Sequence, residues 1–145
     1  MTTTTQRTTT RALDLGDHLA ARAAGAVLAV LVTVIHVTDQ GGLTALKDPA
    51  YVGQGYRVLE VAGIVTALLL LLAPARARAT GWLLALGVAV GPIVGFILSR
   101  GPGLPDYTDD MGNWTELLGL QALTVEALLL VLSLAVLSRS RRVAA

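Results

Sequence analysis

The sequence predicts an all-α membrane protein, a four-transmembrane-helix antiparallel bundle with both termini in the cytoplasm. Its 145 residues are 54% hydrophobic and only 14% charged, whereas soluble domains contain about 25% charged residues. The apolar residues form four runs, each close to the ~20 residues that a helix needs to cross a bilayer. The distribution of basic residues predicts the orientation. The predicted spans are residues 20–38, 56–73, 80–99 and 115–138.

Basic residues collect in the N-terminal tail, in the short connection between the second and third spans, and in the C-terminal tail. Eight of the 11 Lys and Arg residues lie there: Arg7, Arg11, Arg22, Arg76, Arg78, Arg139, Arg141 and Arg142. Lys and Arg prefer the cytoplasmic side of short loops, so both termini are expected in the cytoplasm and the two other loops outside. Tryptophan is common at membrane interfaces, and Trp82 is expected at the inner end of the third span.

The first 18 residues are expected to form a flexible polar tail, because they are rich in Thr and contain few side chains that could be buried. Residues 11–22 predict either a solvated leader or a short interfacial helix. A cleaved signal peptide is the competing interpretation of the first run, but the run ends at Val37 without the small residues of a cleavage site. Residues 19–138 are therefore expected to form the transmembrane domain, followed by a basic cytoplasmic tail over 139–145.

Glycine and proline mark the connections. Gly41 and Gly42 are expected to end the first helix. The second outer loop, residues 100–114, contains three Gly and two Pro and is expected to be irregular. Asn113 is followed three residues later by Glu116, a spacing that predicts an N-cap and capping box at the start of the fourth span.

A stripe of small residues runs along the third span. Gly87, Gly91 and Gly95 are four residues apart, and membrane helices associate through close packing of such residues. The stripe is expected to pack inside the chain, with dimerisation as the alternative. Small residues also share faces of the other spans: Ala29 and Thr33, Gly63 and Ala67, Gly119 and Ala122.

Glu126 lies near the middle of the fourth span. An ionisable side chain in hydrocarbon costs ~2.5–3.5 kcal/mol on insertion scales, so its presence there needs a reason. Glu126 shares a helix face with Gly119 and Ala122 and is expected to point into the bundle. Two interpretations are open: a proton or cation site, or a neutral carboxyl hydrogen-bonded to a neighbouring helix, with Thr66 as a candidate partner.

His36 and Glu60 are expected at similar depths near the outer mouth of the bundle. Arg57 precedes Glu60 by three residues, which predicts an ion pair on one helix face. One interpretation joins His36 and Glu60 with Asp39 or Asp109 into an outward-facing site for a proton or a metal ion of unknown identity. The other is an interhelical hydrogen bond that holds the bundle together.

The second outer loop carries acidic and aromatic residues that form a candidate interaction surface. These are Asp106, Tyr107, Asp109, Asp110 and Trp114. The same residues are also typical of a solvated acidic turn, and they lack the ligand spacing of an EF-hand.

Composition and motifs exclude several classes of site. The chain contains no Cys, which excludes disulfides, iron–sulfur clusters and covalently attached haem. His18 and His36 would lie about 27 Å apart on one helix, too far to ligate a single haem. Motifs for a nucleophile with its base, for phosphate binding or for zinc are absent from the sequence, and the arginines form no folded basic face. The sequence therefore predicts no cofactor and no nucleic acid partner. It contains no catalytic constellation, so a non-enzymatic protein is favoured, with a membrane enzyme that acts on lipid as the open alternative.

The segment 100–126 carries a resemblance. It reads Arg-Gly-Pro-Gly-Leu-Pro-Asp-Tyr-Thr-Asp-Asp-Met-Gly-Asn-Trp over residues 100–114, with Glu116, Gly119 and Glu126 after it. It resembles a segment of small four-helix integral membrane proteins of high-GC bacteria, which are generally described only as membrane proteins. The resemblance implies the same architecture and no known activity, and suggests that this loop and the nearby glutamates form the characteristic surface. One Lys against ten Arg fits such an origin, and a multi-pass position in a bacterial inner membrane is expected.

These features predict a non-enzymatic accessory or structural component that contacts other membrane or envelope proteins through its outer loops. The alternative is a small oligomeric proton-coupled transporter or channel that uses Glu126 and Glu60. Small multidrug transporters also have four helices and one buried glutamate, but theirs lies in the first span, and this first span has none. The expected partners are the lipid bilayer and either another membrane protein or a second copy of the chain.

Overall fold

Four α-helices make up the computed structural model, with no strand among the residues that it describes. Backbone is described for residues 3–143 and side chains for residues 19–74 and 77–138. The helices are α1 (Thr3–Asp39), α2 (Ala50–Leu72), α3 (Ala75–Arg100) and α4 (Leu117–Val143). Four segments are long and apolar enough to cross a membrane: Leu19–Asp39, Ala50–Leu72, Ala77–Arg100 and Leu117–Ser138. The predicted four-helix membrane architecture is confirmed to this extent.

The predictions for the two ends of the chain are not tested. The polar tail over 1–18 and the basic tail over 139–145 lie outside the residues whose side chains are described. Both tails stay predictions.

The helices follow one another round the bundle. α1 packs against α2 and α4, α3 packs against the same two helices, and α1 meets α3 only slightly across the middle. The centre is filled mainly by small and branched side chains that have no exposed surface: Ala29, Val32, Leu70, Ala85, Ala89 and Leu129. Small residues let helix backbones approach closely, which is the main source of packing energy between membrane helices.

The closest crossing joins α1 and α2 at Gly63. A Cβ at this position would lie 2.1 Å from Oγ1 of Thr33 and 3.0 Å from the carbonyl oxygen of Ala29. Only glycine fits without displacing the neighbouring helix. The predicted use of small residues on these two spans is confirmed.

Trp82 is buried between the helices. Its side chain is only 5% exposed, and a Cβ at Gly25 of α1 would lie 2.9 Å from the indole. Trp82 lies five residues after the start of the third candidate span, Ala77–Arg100, and its indole fills a space inside the bundle that Gly25 leaves; its expected position at the membrane interface stays a prediction. Nearby, Arg22 donates hydrogen bonds to the carbonyl oxygens of Leu70 at 2.5 Å and Leu71 at 2.6 Å. These carbonyls end α2 and have no partner within a helix.

Two helices begin at positions that the sequence did not predict. α2 begins at Ala50, directly after Pro49, which is extended and lies at the N-cap position, and not near residue 56. Gly53 packs closely against the first connection, residues 40–49. A Cβ on Gly53 would lie 2.6 Å from the carbonyl oxygen of Lys47. α4 begins at Leu117, so Asn113 lies too far upstream to be its N-cap.

Candidate functional site

A cavity of about 500 Å³ lies inside the bundle. It is close to the end that carries the connections 40–49 and 101–116, called the acidic end below. All four helices and the second connection contribute to its wall. Much of that wall is apolar and comes from Leu59, Ala62, Leu84, Val88 and Ala122, among others. Small-molecule sites have volumes of about 300–1,000 Å³ and mainly apolar walls, so the cavity has the size and character of a ligand site.

The cavity opens sideways between α2 and α3. Val58 of α2 lines it and is 70% exposed, and Gly87 and Gly91 of α3 line it and are exposed as well. Near their short connection the two helices touch, since a Cβ at Gly81 would lie 3.2 Å from the side chain of Leu70. The helices therefore separate toward the acidic end and leave an opening within the lengths of the candidate spans Ala50–Leu72 and Ala77–Arg100.

The glycine stripe of α3 forms one wall of this cavity. A Cβ built on Gly87, Gly91 or Gly95 meets no described atom within 4 Å. Close packing of the stripe inside the chain, which the sequence favoured, is therefore not what the structure shows. The four-residue spacing of the glycines shows that they share one helix face, but it does not show what packs against that face. Dimerisation through the stripe stays a prediction.

Glu126 and His36 meet at the deep part of the cavity wall. Oε1 of Glu126 lies 3.7 Å from Nε2 of His36, and both residues line the cavity. Nδ1 of His36 lies 2.9 Å from the carbonyl oxygen of Val32. A carbonyl oxygen only accepts hydrogen bonds, so Nδ1 carries the proton and, in the neutral ring, Nε2 is an acceptor. When Glu126 is ionised, two acceptor atoms therefore face each other inside the bundle.

The carboxyl of Glu126 has an unsatisfied oxygen. Glu126 is 1% exposed, and its Oε1 is buried without a hydrogen-bond partner among the described residues. The hydroxyl of Thr66, considered above as its partner, is also buried and unpaired in this part of the chain. The predicted inward orientation of Glu126 is confirmed, and the suggested bond to Thr66 is not formed.

Glu60 belongs to a separate polar cluster. Its carboxylate accepts hydrogen bonds from Arg57 at 2.9 Å and from Gln40 at 2.5 Å, and Arg57 also donates to the carbonyl oxygen of Ala45 at 2.7 Å. The Arg57–Glu60 pair is thus present, as the spacing predicts. Glu60 does not line the cavity, and the cluster ties the first connection to α2. The structure therefore places Glu60 apart from the cavity that His36 and Glu126 line.

Asp39 and Tyr56 form part of the rim of the cavity. The hydroxyl of Tyr56 donates to the carboxylate of Asp39, and Nζ of Lys47 donates to the same oxygen at 2.7 Å. The ring of Tyr56 lies 5.3 Å from the ring of His36. This chain of contacts links the rim to the deeper pair and holds the His36 ring in place.

Arg100 organises the second connection, a role that the sequence analysis missed. Its guanidinium donates to Glu116 at 2.6 Å and to the carbonyl oxygen of Asn113 at 3.0 Å, and it lies 3.5 Å from Asp110. It also stacks on Phe96, 4.0 Å from the ring centre, and is only 8% exposed. An arginine at a helix end followed by a loop with several carboxylates is the signal that could have indicated it, because a planar guanidinium can bind several oxygens at once.

The predicted interaction surface is divided by the fold. Tyr107 and Asp110 line the cavity, and the Tyr107 hydroxyl donates to Asp110 at 2.8 Å. Burial, followed by this hydrogen bond, raises the pKa of Tyr107 above its ordinary value. Asp106, Asp109 and Trp114 are exposed. Tyr107 and Asp110 are partly exposed, so the five predicted residues differ in how far they reach the surface.

The metal interpretation has no support from side-chain clustering. Among the described residues, no three His, Asp or Glu side chains lie together in a way that could hold a metal ion. Asp109, one of the candidate ligands, is exposed at the surface.

Comparisons with known proteins add no information about the site. Protein-family models, curated proteins and solved structures give no match to this chain.

Proposed function

We propose that this chain is a non-enzymatic integral membrane protein that binds a small amphipathic molecule in the cavity. The observation that carries the proposal is an apolar cavity of about 500 Å³ with the unpaired, buried carboxyl oxygen of Glu126 at its wall. An unsatisfied buried polar atom costs about 1–3 kcal/mol. A ligand that supplies a hydrogen-bond donor removes this cost, and the apolar wall receives the rest of the molecule.

Access from the bilayer fits the same geometry. The opening between α2 and α3 carries exposed Val58, Gly87 and Gly91, and glycine leaves more room there than any other residue. A molecule dissolved in lipid can therefore reach the cavity without crossing the polar connections.

Native mass spectrometry of the protein, released gently from its own membrane, tests ligand binding. Wild-type protein is expected to carry a molecule of defined mass. Gly91 lines the cavity, so the side chain of Gly91→Leu is expected to occupy it and to displace the bound molecule. A Cβ at this position meets no described atom within 4 Å, so the fold is expected to stay intact. Val90→Leu, on the lipid-facing side of the same helix, is the matched control and keeps the molecule. The proposal would be overturned if the wild-type chain carried no bound molecule, or if the Gly91→Leu variant carried as much of it as the wild type.

The proposed orientation is antiparallel, in a bacterial inner membrane, with both termini in the cytoplasm and the acidic end outside. Residues 39–60 and 100–116 contain seven carboxylates and three cations, and basic residues prefer the other, cytoplasmic side. Because the chain has no Cys, single cysteines report accessibility cleanly. In intact cells, a membrane-impermeant maleimide is expected to label Asp109→Cys and to leave Ser140→Cys unlabelled until the cells are opened. The reverse pattern would invert the orientation.

A second candidate function is contact with another envelope protein through the acidic connection. The observation that favours it is that Asp106, Asp109 and Trp114 are exposed on a segment held in place by Arg100. The resemblance of residues 100–126 to small four-helix membrane proteins of high-GC bacteria supports a role for the same surface. A photocrosslinker in place of Asp109 is expected to recover one dominant partner protein. The Asp109→Asn variant is expected to bind the same partner with lower affinity than the wild type. Recovery of only scattered, abundant neighbours would count against this function.

A further inference from the structure

We propose that the cavity selects a lipophilic ammonium, a protonated alkyl amine whose N–H groups bridge His36 and Glu126. This inference rests on the proposed function, since it names the ligand class of the same cavity. It follows from the hydrogen-bonding character of two atoms, from the charges around the cavity mouth and from the apolar wall.

With Glu126 ionised and His36 neutral, the pair places two acceptors and no donor beside the cavity. Nε2 of His36 is an acceptor because Nδ1 donates to Val32, and Oε1 of Glu126 is unpaired. Their separation of 3.7 Å is too long for a direct hydrogen bond between them. One nitrogen with two N–H groups can lie about 2.9 Å from each atom once the carboxyl turns slightly toward the cavity.

This requirement separates ligand classes. An ammonium carries two or three N–H groups and a positive charge, so it satisfies both acceptors and neutralises the carboxylate. An alcohol has a single O–H and satisfies only one of them. A ligand carboxylate or phosphate brings further acceptors and negative charge beside Glu126, which is unfavourable in a region of low dielectric constant.

The charges at the cavity mouth also favour a cation. Carboxylates of Asp39, Asp110 and Glu116 line the cavity together with the guanidinium of Arg100. Lys47 pairs with Asp39 at 2.7 Å, so three carboxylates against two cations leave an excess of one negative charge. Arg100 is engaged by Glu116 at 2.6 Å and faces Asp110 at 3.5 Å, so it offers little free positive charge. A mouth with an excess of one sign raises the local concentration of the opposite ion.

A metal ion fits the pair less well than an ammonium. His36 and Glu126 supply two ligands, whereas zinc sites use at least three protein side chains, and no third ligand accompanies them among the described residues. The apolar wall around Leu84 and Val88 has no role in binding a bare ion. It suits the alkyl chain of an amphipathic amine.

The test uses three photoreactive probes with the same decyl chain and diazirine, ending in an ammonium, a hydroxyl or a carboxylate. The full-length protein is placed in nanodiscs of zwitterionic lipid at pH 7, where an alkyl amine with a pKa near that of Lys (~10.4) is charged. Labelled residues are identified by mass spectrometry. The ammonium probe is expected to label the α2 and α3 walls of the cavity, in competition with unlabelled decylammonium. The hydroxyl probe is expected to label these walls about tenfold less, since it satisfies only one acceptor.

Variants assign the selectivity to the pair. Glu126→Gln is expected to reduce ammonium labelling of the cavity about tenfold or more, because a hydrogen bond to a charged group is lost. Glu60→Gln makes the same change at another buried carboxylate outside the cavity and is expected to keep the labelling. His36→Gln, which retains an acceptor near the position of Nε2, is expected to keep more labelling than His36→Leu. Helical content and thermal unfolding are measured for each variant, and only folded variants are compared.

The outcomes distinguish the two proposals. Equal labelling of the cavity by the ammonium and hydroxyl probes, or ammonium labelling unaffected by Glu126→Gln, would overturn the ammonium assignment and leave the binding cavity standing. Labelling by all three probes only on lipid-facing residues would overturn both.

Discussion

Oε1 of Glu126 lies 3.7 Å from Nε2 of His36, across the boundary between α4 and α1. The two residues come from the first and last spans of the chain and face the same cavity. No direct hydrogen bond joins them, and the backbone carbonyl of Val32 holds the imidazole in one tautomer. With Glu126 ionised, the arrangement is therefore a preorganised pair of acceptors, which destabilises the empty protein and favours binding of a donor.

Replacement of Glu126 by Met is expected to stabilise the empty protein. Met is close to Glu in shape and apolar, so it removes the unsatisfied buried oxygen without opening a space. The expected gain in the free energy of unfolding is about 1–3 kcal/mol, measured by denaturant titration in detergent micelles with helical signal as the readout.

Glu60→Met is the matched comparison for this prediction. It breaks the ion pair with Arg57 and the bond from Gln40 and is expected to lower stability, because it leaves a cation and an amide without their acceptor. If Glu126→Met is destabilised as much as Glu60→Met, the Glu126 carboxyl makes a stabilising contact in solution and its assignment as an unpaired acceptor is wrong.

Arg100→Lys is expected to loosen the second connection. Lys keeps the positive charge but cannot bind Glu116 and the carbonyl of Asn113 at once while stacking on Phe96. A loss of about 1–3 kcal/mol is expected from the missing charged hydrogen bonds, together with faster hydrogen exchange over residues 101–116. Arg78→Lys near the start of α3 serves as the control and should leave this exchange unchanged. Exchange over 101–116 that is the same in both variants would contradict the role assigned to Arg100.

The four helices could be predicted from the sequence because the thickness of the bilayer sets the length of an apolar run. The inward face of Glu126 could also be predicted, since the small residues Ala122 and Gly119 lie one and two turns before it. The Arg57–Glu60 pair follows from i, i+3 spacing. Each of these properties depends only on a single helix and the lipid around it, and not on how the helices and loops are arranged.

The cavity could not be predicted, because it depends on how far α2 and α3 separate. The repeat of Gly87, Gly91 and Gly95 is compatible with a close helix contact or with an open wall, and only the position of α2 decides between them. The contacts of Arg100 with Asp110 and Glu116 were missed for a related reason, since they depend on the path of an irregular loop. The bond between Gln40 and Glu60 likewise depends on the turn at Gly41 and Gly42, whose φ angles are +96° and +113°.

Two glycines of similar appearance in the sequence are expected to respond oppositely to alanine. Gly63→Ala places a methyl group 2.1 Å from Oγ1 of Thr33, and such overpacking typically costs about 1–3 kcal/mol. Gly87→Ala meets no described atom within 4 Å and is expected to be neutral or to stabilise by up to ~1 kcal/mol through helix propensity. Thermal unfolding of both variants in the same detergent checks the contrast. A large loss at Gly87 would indicate that this stripe is covered, for example by a second copy of the chain.

Tyr107 is expected to make the stability of the acidic end depend on pH in the alkaline range. Burial and the hydrogen bond to Asp110 raise its pKa in the folded protein, whereas an unfolded tyrosine titrates near pH 10. Asp39 also favours the neutral phenol and Arg100 opposes it. The contribution of the phenol to stability is therefore complete below pH ~10 and declines as the pH rises toward the pKa of Tyr107 in the folded protein.

Tyr107→Phe lacks this hydroxyl and should be less stable than wild type at pH 8, by about 1 kcal/mol for one lost hydrogen bond. The difference should shrink between pH 10 and 11 in unfolding titrations of the two proteins run side by side, since all other titrating groups are shared. A difference that stays constant over this range would show that the phenol keeps an ordinary pKa in the folded protein.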